Sequence, residues 1–430
     1  MKPAMPHMQD WASLSARREK AGHDLCKAGD DIAGRSATAA RDAPDHPPRP
    51  PAGTALFIVI TDHPGGAERV AYGLARELSR RPGWEVEVKI VCSRLPDSFS
   101  RRVLPNEVRV SGGPARNWYF SFCWLPFRIA FRRYDFAFTT HVYTNALLSL
   151  MRRFRLVRIG DLIGRESTSV FERWSGVKSW RFKQLYRAYG REDLLIAQTR
   201  DMAERIRPRL PRASAAHLEV IPNPVDLEAV DKGIAGGLDD SLRARLAEAP
   251  NILFCGRLIA VKQPWLALAA FHRLVTKGSP ARLVFLGEGP LRDELRAQAR
   301  GLGLEARILF LGKITNPFPV MAACRHGIVT SSREGFPNVI LEMMACGVRS
   351  IVTTPCAGDL SRLPGVKVTG GFAADEIAAA LEGAMSQDFR SAYRRFLASR
   401  STADYVDRLL AVSATKAKSA GARPSRSRTG

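Results

Sequence analysis

The chain has 430 residues, of which 45% are apolar and 25% charged, and its 65 Lys and Arg against 42 Asp and Glu give a net charge of +23. This composition excludes wholesale disorder, and at roughly 100–200 residues per domain the length predicts two domains. The longest apolar stretch, residues 118–127, is far shorter than the roughly 20 residues that span a bilayer, and the N-terminus has no secretory signal pattern. We therefore expect a cytoplasmic protein without a transmembrane helix. The seven cysteines include no Cys-x-x-Cys pair, which argues against a disulfide framework and a zinc site.

The positive charge is concentrated in two segments. Residues 101–200 carry an excess of 12 positive charges, and residues 414–430 carry 5 more without an acidic residue. Such a local field predicts an anionic partner near one surface of the first domain, which could be nucleic acid, acidic lipid or a phosphorylated substrate. A genome that favours Arg codons is the alternative explanation.

The first half of the chain predicts a leader followed by a parallel α/β domain. Residues 1–53 lack hydrophobic periodicity and contain a Pro-rich run, which predicts a disordered leader. The following residues alternate between buried-strand and amphipathic-helix patterns, which indicates β-α units and a parallel sheet. Strands are predicted over residues 56–60, 85–92, 135–139, 156–160 and 194–198, and helices over residues 67–80, 143–153, 179–189 and 200–209.

A stiff turn, Ile221-Pro222-Asn223-Pro224, predicts the boundary with a second domain of the same kind. Strands are predicted over residues 252–255, 282–286, 307–311, 327–330 and 366–368, and helices over residues 264–277, 291–302, 318–324, 373–385 and 389–410. We expect domains at residues 54–222 and 223–388, a closing helix at 389–413 and a basic disordered tail at 414–430. Two such sheets bind ligands in the cleft beyond the carboxyl ends of their strands.

The most informative motif lies at residues 331–342, directly after a predicted strand. Glu334 and Glu342 lie on either side of a predicted helix start, where Pro337 suits the first turn. The N–H groups of Asn338 and its successors would then point into the cleft with the positive end of the helix dipole, which suits a phosphate. The two glutamates would accept hydroxyl groups on either side of it, from a sugar and from a ribose. Taken alone, two solvent-facing carboxylates are the commoner explanation.

Two other segments carry groups that suit a diphosphate. Gly256 permits a sharp turn after a predicted strand, and Arg257 and Lys262 follow it as possible counter-charges. Gly65 and Gly66 open the first helix of the other domain and permit close approach of a phosphate to the backbone. Solvated surface cations and a plain structural turn are the alternatives.

Together these motifs resemble the retaining glycosyltransferases of family 4. The Gly-Gly turn, the Ile-Pro-Asn-Pro-Val-Asp hinge, Gly-Arg with its lysine, Gly-Glu-Gly-Pro and Glu-x7-Glu occur in that family's order and spacing over residues 55–413. The resemblance implies an α/β protein of the GT-B fold, with two facing Rossmann-like doubly wound domains and a central cleft. It also implies a retaining hexosyltransferase that uses a nucleotide-diphosphate sugar as donor.

The resemblance implies a role for each motif residue. Arg257 and Lys262 would hold the donor diphosphate and assist its departure, Glu334 would contact the donor sugar, and Glu342 would bind the ribose. His141, which alone reads as a structural residue at a strand end, would face the sugar from the first domain. The expected donor-binding positions are Gly65, Gly66, Gly256, Gly335, Phe336, Asn338, Val339 and Glu342. Many family members have Gly or a similar residue at the position of Pro337. Because proline has no backbone N–H, one possible amide donor is missing here.

We expect neither a cofactor nor a bound metal. No Asp-x-Asp occurs in the chain, and fixed cations can stabilise the charge that develops on a leaving diphosphate.

The acceptor is indicated less directly. Residues 116–133 combine aromatic rings with Arg128, Arg132 and Arg133, which suits either a membrane interface or a buried core helix. We expect a glycan or lipid-linked glycan acceptor in the biosynthesis of a surface polysaccharide, such as lipopolysaccharide or exopolysaccharide. The enzyme would then lie on the cytoplasmic face of the inner membrane, against an anionic surface.

Two other classes of protein remain as alternatives. A GT-B sugar-nucleotide epimerase would share the fold. A basic nucleic-acid-binding protein would share the charge, but no helix-turn-helix, zinc-finger or RNA-recognition signature appears, so we expect no nucleic-acid partner.

Overall fold

A computed structural model describes residues 53–62, 65–92, 99–114, 118–167, 180 and 184–421, with the backbone alone for residues 118 and 412–421. The part that is not described includes the first 52 residues of the predicted leader, residues 179 and 181–183 of the helix predicted at residues 179–189, and the last nine residues of the predicted tail. Residues 180 and 184–187 of that predicted helix are helical.

The described strands of the first half form one parallel sheet of seven strands in the order β3-β2-β1-β4-β5-β6-β7. Its strands are apolar on both faces because helices cover both, as parallel sheets require. Phe57 packs on one face and Ile58 on the other, in separate core clusters. The strands are β1 (Gly53–Thr61), β2 (Trp84–Cys92), β3 (Arg109–Ser111), β4 (Arg133–Thr139), β5 (Arg158–Arg165), β6 (Leu194–Ala197) and β7 (Leu218–Val220). The helices are α1 (Gly66–Ser79), α2 (Phe99–Val103), α3 (Trp118–Ile129), α4 (Val142–Arg153), α5 (Arg200–Ile206) and α6 (Arg212–Ala216).

The second half forms a parallel sheet of six strands in the order β10-β9-β8-β11-β12-β13. The strands are β8 (Asn251–Cys255), β9 (Arg282–Leu286), β10 (Ile308–Gly312), β11 (His326–Val329), β12 (Ser350–Thr353) and β13 (Val366–Val368). Its helices are α7 (Leu227–Ala235), α8 (Asp240–Ala247), α9 (Pro264–Thr276), α10 (Arg292–Gly301), α11 (Phe318–Ala323), α12 (Asn338–Ala345), α13 (Ala374–Met385) and α14 (Arg390–Leu397).

The last helix returns to the first sheet. Helix α15 (Thr402–Gly421) packs on α1, where Tyr405 and Leu409 join the core around Leu74. The single closing helix predicted at residues 389–413 is therefore two helices, α14 and α15. The second helix continues eight residues beyond residue 413 into the segment predicted to be a disordered tail.

The structure also corrects several element boundaries. The strand predicted at residues 156–160 is β5, which begins two residues later because the chain first turns at Arg155, whose φ is 58°. Strands β3, β7 and β12 and helices α2, α6, α7 and α8 were not predicted. The three missed strands have only three or four residues each, so a period of two gives a weak signal there.

Helix α3, which lies within residues 116–133, is buried on one side and exposed on the other. Leu125 and Ile129 are fully buried in the core, whereas Tyr119 and Phe127 are 76% and 74% exposed. Across the described part of the chain, no helix is both long and apolar enough to cross a membrane.

Candidate active site

The carboxyl ends of the two sheets meet in a cleft, and glycines permit their close approach. A Cβ atom on Gly66, in the turn after β1, would lie 2.9 Å from the side-chain nitrogen of Asn338 in the second domain. A Cβ atom on Gly335 would lie 2.6 Å from the carbonyl oxygen of Ser167, which follows β5. Gly66 and Gly335, two of the four glycines predicted from the sequence to lie at the donor site, therefore lie where the domains touch.

Lys262 and Glu334 form an ion pair in this cleft, although 72 residues separate them in the chain. Both side chains are largely shielded, with 22% and 16% of their surface exposed. The Ser331 hydroxyl donates a further hydrogen bond to the Glu334 carboxylate at 2.7 Å. The structure thus brings together one predicted diphosphate-binding cation and the predicted sugar-binding carboxylate.

Hydrogen bonds between two loops hold this pair in place. The Thr330 hydroxyl, at the end of β11, donates to the carbonyl oxygens of Lys262 and Gln263 at 3.0 and 2.9 Å. The backbone N–H of Ser332 donates to the carbonyl oxygen of Val261 at 2.8 Å. Because Gln263 adopts a left-handed conformation with φ of 44° and Pro264 then starts α9, the Lys262 turn ends sharply.

Gly256 and Arg257 follow β8 at the same edge of the second sheet. The N–H of Gly256 donates to the carbonyl oxygen of Leu286 at 3.0 Å, which ties this turn to β9. Arg257 is exposed, and its positive charge acts on Glu68 of the first domain. Burial raises the pKa of Glu68, while the nearby charges of Arg165 and Arg257 oppose part of that rise. Arg257 therefore faces the cleft.

Helix α12 begins at Asn338, directly after Pro337. The first N–H groups of a helix lack intrahelical acceptors and carry the positive end of its dipole. The side chain of Phe336 is 9% exposed and belongs to the apolar core, so a ligand in the cleft would contact its backbone. Val339 is half-buried at the edge of the same core.

Asn338 also links the two domains through its side chain. Its Nδ2 donates to the carbonyl oxygen of Gly66 at 3.0 Å, and its Oδ1 accepts from Asn223 of the hinge at 2.5 Å. Asn223 in turn accepts a 2.6 Å hydrogen bond from the buried guanidinium of Arg165 and donates to Gln198 at 3.0 Å. A polar chain therefore runs from the first sheet through the hinge to the helix terminus.

Glu342, one turn into α12, faces an arginine of the first domain. Its carboxylate lies 3.7 Å from the guanidinium of Arg69. That guanidinium also lies 5.8 Å from the ring of Phe99 and 5.6 Å from the ring of Phe318. Arg69 therefore reaches the carboxylate predicted to bind a ribose, with an aromatic ring from each domain near it.

Glu334 and Glu342 line different crevices. A crevice of about 420 Å³ lies between α5 and the Glu334 loop, and Thr199, Arg205 and Gly335 are among its lining residues. A second crevice of about 240 Å³, between α1 and α11, reaches Glu342 and has a mostly apolar lining. The two carboxylates can therefore contact different parts of one ligand.

His141 lies at the carboxyl end of β4, the strand next to β1, and directly precedes α4. Its Nδ1 lies 2.9 Å from the hydroxyl oxygen of Thr140, and the Thr144 hydroxyl donates to its carbonyl oxygen at 2.9 Å. His141 is thus on the same edge of the first sheet as the Gly65–Gly66 turn.

Three of the residues that join the cleft walls were not predicted from the sequence to be functional. Glu68 and Arg69 lie two and three residues after Gly66, and Asn223 was considered only as part of a stiff turn. Their positions within or beside the recognised motifs were the signal that could have identified them. Among the described residues, no group of three or more His, Cys, Asp or Glu side chains is arranged to hold a metal ion.

Comparison with known proteins agrees with this architecture. The profile described as "Glycosyltransferase Family 4" matches residues 64–229, and that of "Glycosyl transferases group 1" matches residues 249–387. The structure of HepE from Anabaena in complex with UDP-glucose aligns with a TM-score of 0.67 and 19% identity, covering 85% of this chain and 100% of that one. The lipopolysaccharide outer core galactosyltransferase WaaB, in its apo form, aligns with a TM-score of 0.61 and 17% identity, covering 84% and 99%.

A similar sequence comes from Campylobacter jejuni. It is the N-acetylgalactosamine-N,N'-diacetylbacillosaminyl-diphospho-undecaprenol 4-alpha-N-acetylgalactosaminyltransferase, which is 34% identical over 170 residues. The match covers 40% of this chain and 44% of that protein, so the chain spans less than half the length of this curated relative.

Two parallel α/β domains facing across a cleft define the GT-B class of glycosyltransferase folds. Within that class, the chain belongs to the group 1 glycosyltransferases, family 4.

Proposed function

We propose that the protein transfers a sugar from a nucleoside-diphosphate sugar to a glycan or lipid-linked glycan, with retention of anomeric configuration and without a divalent metal. The observation that carries this proposal is the convergence of Lys262, Glu334 and the start of α12 at one place in the cleft. Cations beside an anion-binding helix terminus suit a diphosphate, and a carboxylate beside them suits sugar hydroxyls.

In the proposed reaction, negative charge develops on the leaving nucleoside diphosphate. Lys262, Arg257 and the N–H groups that open α12 would stabilise this charge in the transition state. Because these groups are already held by the fold, little reorganisation is needed when the bond breaks. Such fixed cations supply what a divalent metal supplies in other transferases, so we expect EDTA to leave the rate unchanged.

The two crevices would bind the other parts of the donor. Glu342 would accept hydrogen bonds from the ribose, and the apolar crevice beside it would hold the base. Glu334 would accept from the sugar hydroxyls, and His141 would face the sugar from the first domain. Lys262 can serve both Glu334 and a phosphate because its ammonium group has three donor hydrogens.

The acceptor class is supported by the relatives. The name of the Campylobacter jejuni relative specifies a diphospho-undecaprenol-linked glycan, and WaaB is a galactosyltransferase of the lipopolysaccharide outer core. We therefore propose a role in the biosynthesis of a surface polysaccharide. A sugar-nucleotide epimerase would use a similar donor site, so a product analysis is needed to separate the two activities.

The proposal is tested first by a thermal-shift screen against nucleotides and nucleotide sugars, followed by NMR of the product formed from the best donor. We expect stabilisation by one nucleoside diphosphate and a product with the anomeric configuration of the donor. An epimerised nucleotide sugar, or stabilisation by nucleic acid alone, would reject the proposal.

Substitution then tests the site. Lys262→Ala should lower kcat/KM by about 100-fold or more, the usual effect of removing one preorganised charge-stabilising group. Glu342→Ala should lower it by about 10-fold or more, because the ribose loses hydrogen bonds to a charged acceptor, each of which contributes about 1.5–3 kcal/mol. Lys277→Ala is the matched control, because Lys277 lies on the same domain in an exposed ion pair with Glu382. Full activity in both site variants would contradict the assignment.

A further inference from the structure

The outer face of α3 is apolar, although it faces solvent. Tyr119, Phe120, Trp124 and Phe127 are 76%, 57%, 48% and 74% exposed, and the rings of Trp124 and Phe127 lie 5.6 Å apart. A surface helix ordinarily presents polar residues opposite its buried stripe. Scattered exposed apolar residues are normal, but a contiguous group marks a surface that meets a partner or a membrane.

The apolar group continues beyond the helix. Phe131, Phe154 and Leu156 are 86%, 67% and 40% exposed, and the N–H of Phe131 donates to the carbonyl oxygen of Leu156 at 2.7 Å. Phe131 has a φ of 59°, a left-handed conformation that is unfavourable for a bulky side chain. The chain thus holds an aromatic ring in solvent at a cost in backbone energy. We call this group the aromatic surface: Tyr119, Phe120, Trp124, Phe127, Phe131, Phe154 and Leu156.

Arginines border the aromatic surface at its end near residue 131. Arg133 and Arg158 are neighbours in the register of β4 and β5, and Arg153 and Arg155 flank Phe154. The exposed members of this arginine border are Arg132, Arg133, Arg153, Arg155 and Arg158.

Few acidic groups oppose this charge. Asp135 accepts from the backbone N–H of Thr54 at 2.8 Å. The buried Glu87 lies 3.5 Å from Arg132 of the border, but it is shared with Lys89, which it pairs with at 2.7 Å. The border therefore keeps a net positive charge.

The aromatic surface runs from the cleft edge of the first sheet to the opposite edge. Helix α3 leads into β4, so its first turn lies at the carboxyl edge of the sheet and its last turn at the opposite edge. At 1.5 Å per residue, its 12 residues span about 18 Å. A flat surface that contacts the whole helix would thus reach the cleft at one end.

We propose that the aromatic surface and the arginine border dock the protein on an anionic lipid bilayer. The rings would enter the headgroup region, and the arginines would contact anionic headgroups, as in interfacial amphipathic segments. A second copy would bring a surface of the same positive charge against this one, which like-charge repulsion opposes. The docking proposal depends on this surface alone and not on the proposed sugar transfer. Its value for the proposed transfer is that a lipid-linked acceptor would lie beside the cleft.

The test is flotation of the full-length protein with vesicles of phosphatidylglycerol and phosphatidylethanolamine, compared with phosphatidylcholine vesicles. We expect binding to the anionic vesicles only, weakened by salt. Phe127→Ser with Phe131→Asn should lower the partition coefficient at least tenfold. Asn tolerates the left-handed conformation, so this variant should fold as well as the parent.

A charge-matched pair of variants tests the arginine border. Arg153→Glu with Arg155→Glu should also lower binding at least tenfold, whereas Arg394→Glu with Arg395→Glu, on exposed positions of α14, should not. Arg128 is left unchanged because its guanidinium turns inward and donates to the Ser111 hydroxyl at 2.7 Å.

Three outcomes would overturn the docking proposal: equal loss in both charge variants, a dimer that the Phe127/Phe131 variant disrupts without any vesicle binding, or binding of an oligonucleotide instead of vesicles. Vesicle binding by a protein that shows no sugar transfer would reject the proposed function and leave the docking proposal intact.

Discussion

The side-chain amide of Asn338 donates a 3.0 Å hydrogen bond to the carbonyl oxygen of Gly66, although the two residues are 272 positions apart. This contact joins the anion-binding end of α12 to the glycine turn of the opposite domain. Because Asn223 of the hinge also donates to Asn338, the angle between the domains and the position of the helix terminus depend on the same side chain.

We therefore expect Gly66→Ala and Asn338→Ala to raise the donor KM by similar amounts. Asn338→Ala removes the donor, and Gly66→Ala adds a Cβ atom only 2.9 Å from the Asn338 side-chain nitrogen, which displaces it. Both variants lose a hydrogen bond whose net free energy is about 1 kcal/mol, so a several-fold effect is expected. The double variant should be little worse than either single variant, because residues in direct contact are not additive. Steady-state kinetics of the four proteins provides the measurement, and fully additive effects would show that the contact does not couple the domains.

Glu334→Gln should separate nucleotide binding from sugar transfer. The glutamine keeps the shape of the side chain but removes the negative charge that faces Lys262. Free nucleoside diphosphate should then bind several-fold more tightly, since a partly exposed ion pair contributes roughly 1 kcal/mol or less. Transfer should slow because the sugar hydroxyls lose their carboxylate acceptor. Calorimetry with the diphosphate, paired with a transfer assay, tests both parts, and weaker diphosphate binding would contradict the prediction.

His326 should make the protein less stable in mild acid. This histidine begins β11, is 3% exposed, and has its Nδ1 2.8 Å from the hydroxyl oxygen of Ser350. Burial, together with the positive charges of Arg349 and Arg325, lowers its pKa from 6.5 to about 4. Between these values the unfolded chain binds a proton that the folded protein does not, so the free energy of unfolding falls as the pH falls, by about 3 kcal/mol at most.

The corresponding measurement is urea unfolding between pH 7 and pH 4 for the parent and for His326→Asn. The variant should lose less stability over this window, whatever its absolute stability at pH 7. Identical pH slopes in the two proteins would show that His326 is not responsible.

Cys123 should be the most reactive thiol of those in the described residues. It is the exposed one, whereas Cys324, Cys346 and Cys356 are buried and Cys92 and Cys255 are half-buried. Burial raises the pKa of Cys255 and of Cys356 to about 12, which leaves almost no thiolate at neutral pH. A brief maleimide pulse followed by mass spectrometry, with Cys26 replaced by Ser, should label Cys123 first. Rapid labelling of Cys255 or Cys356 without denaturant would contradict this.

A label on Cys123 also reports on the aromatic surface, because this residue lies on α3 between Phe120 and Trp124. An environment-sensitive dye at this position should shift to shorter wavelength on anionic vesicles. An unchanged spectrum in the presence of bound vesicles would place α3 away from the lipid.

The sequence alone predicted the alternation of strands and helices, the two parallel sheets and the family. These features depend on local signals: apolar runs of three to eight residues in buried strands, helical periodicity, and glycine or proline at turns. The motif residues Gly256, Lys262 and Glu334 could be placed at strand ends for the same reason. Strands β3, β7 and β12 were not predicted, because a period of two gives a weak signal over three or four residues.

Only the tertiary structure decided which of these residues meet. The Lys262–Glu334 pair, the Asn338–Gly66 hydrogen bond and the Arg69–Glu342 pair each join residues at least 72 positions apart. Such contacts depend on how whole sheets pack and how the hinge closes, and no local pattern encodes that geometry. The same holds for α3, whose residues are apolar nearly all round: packing on β2 decided which of them are buried and which rings remain at the surface.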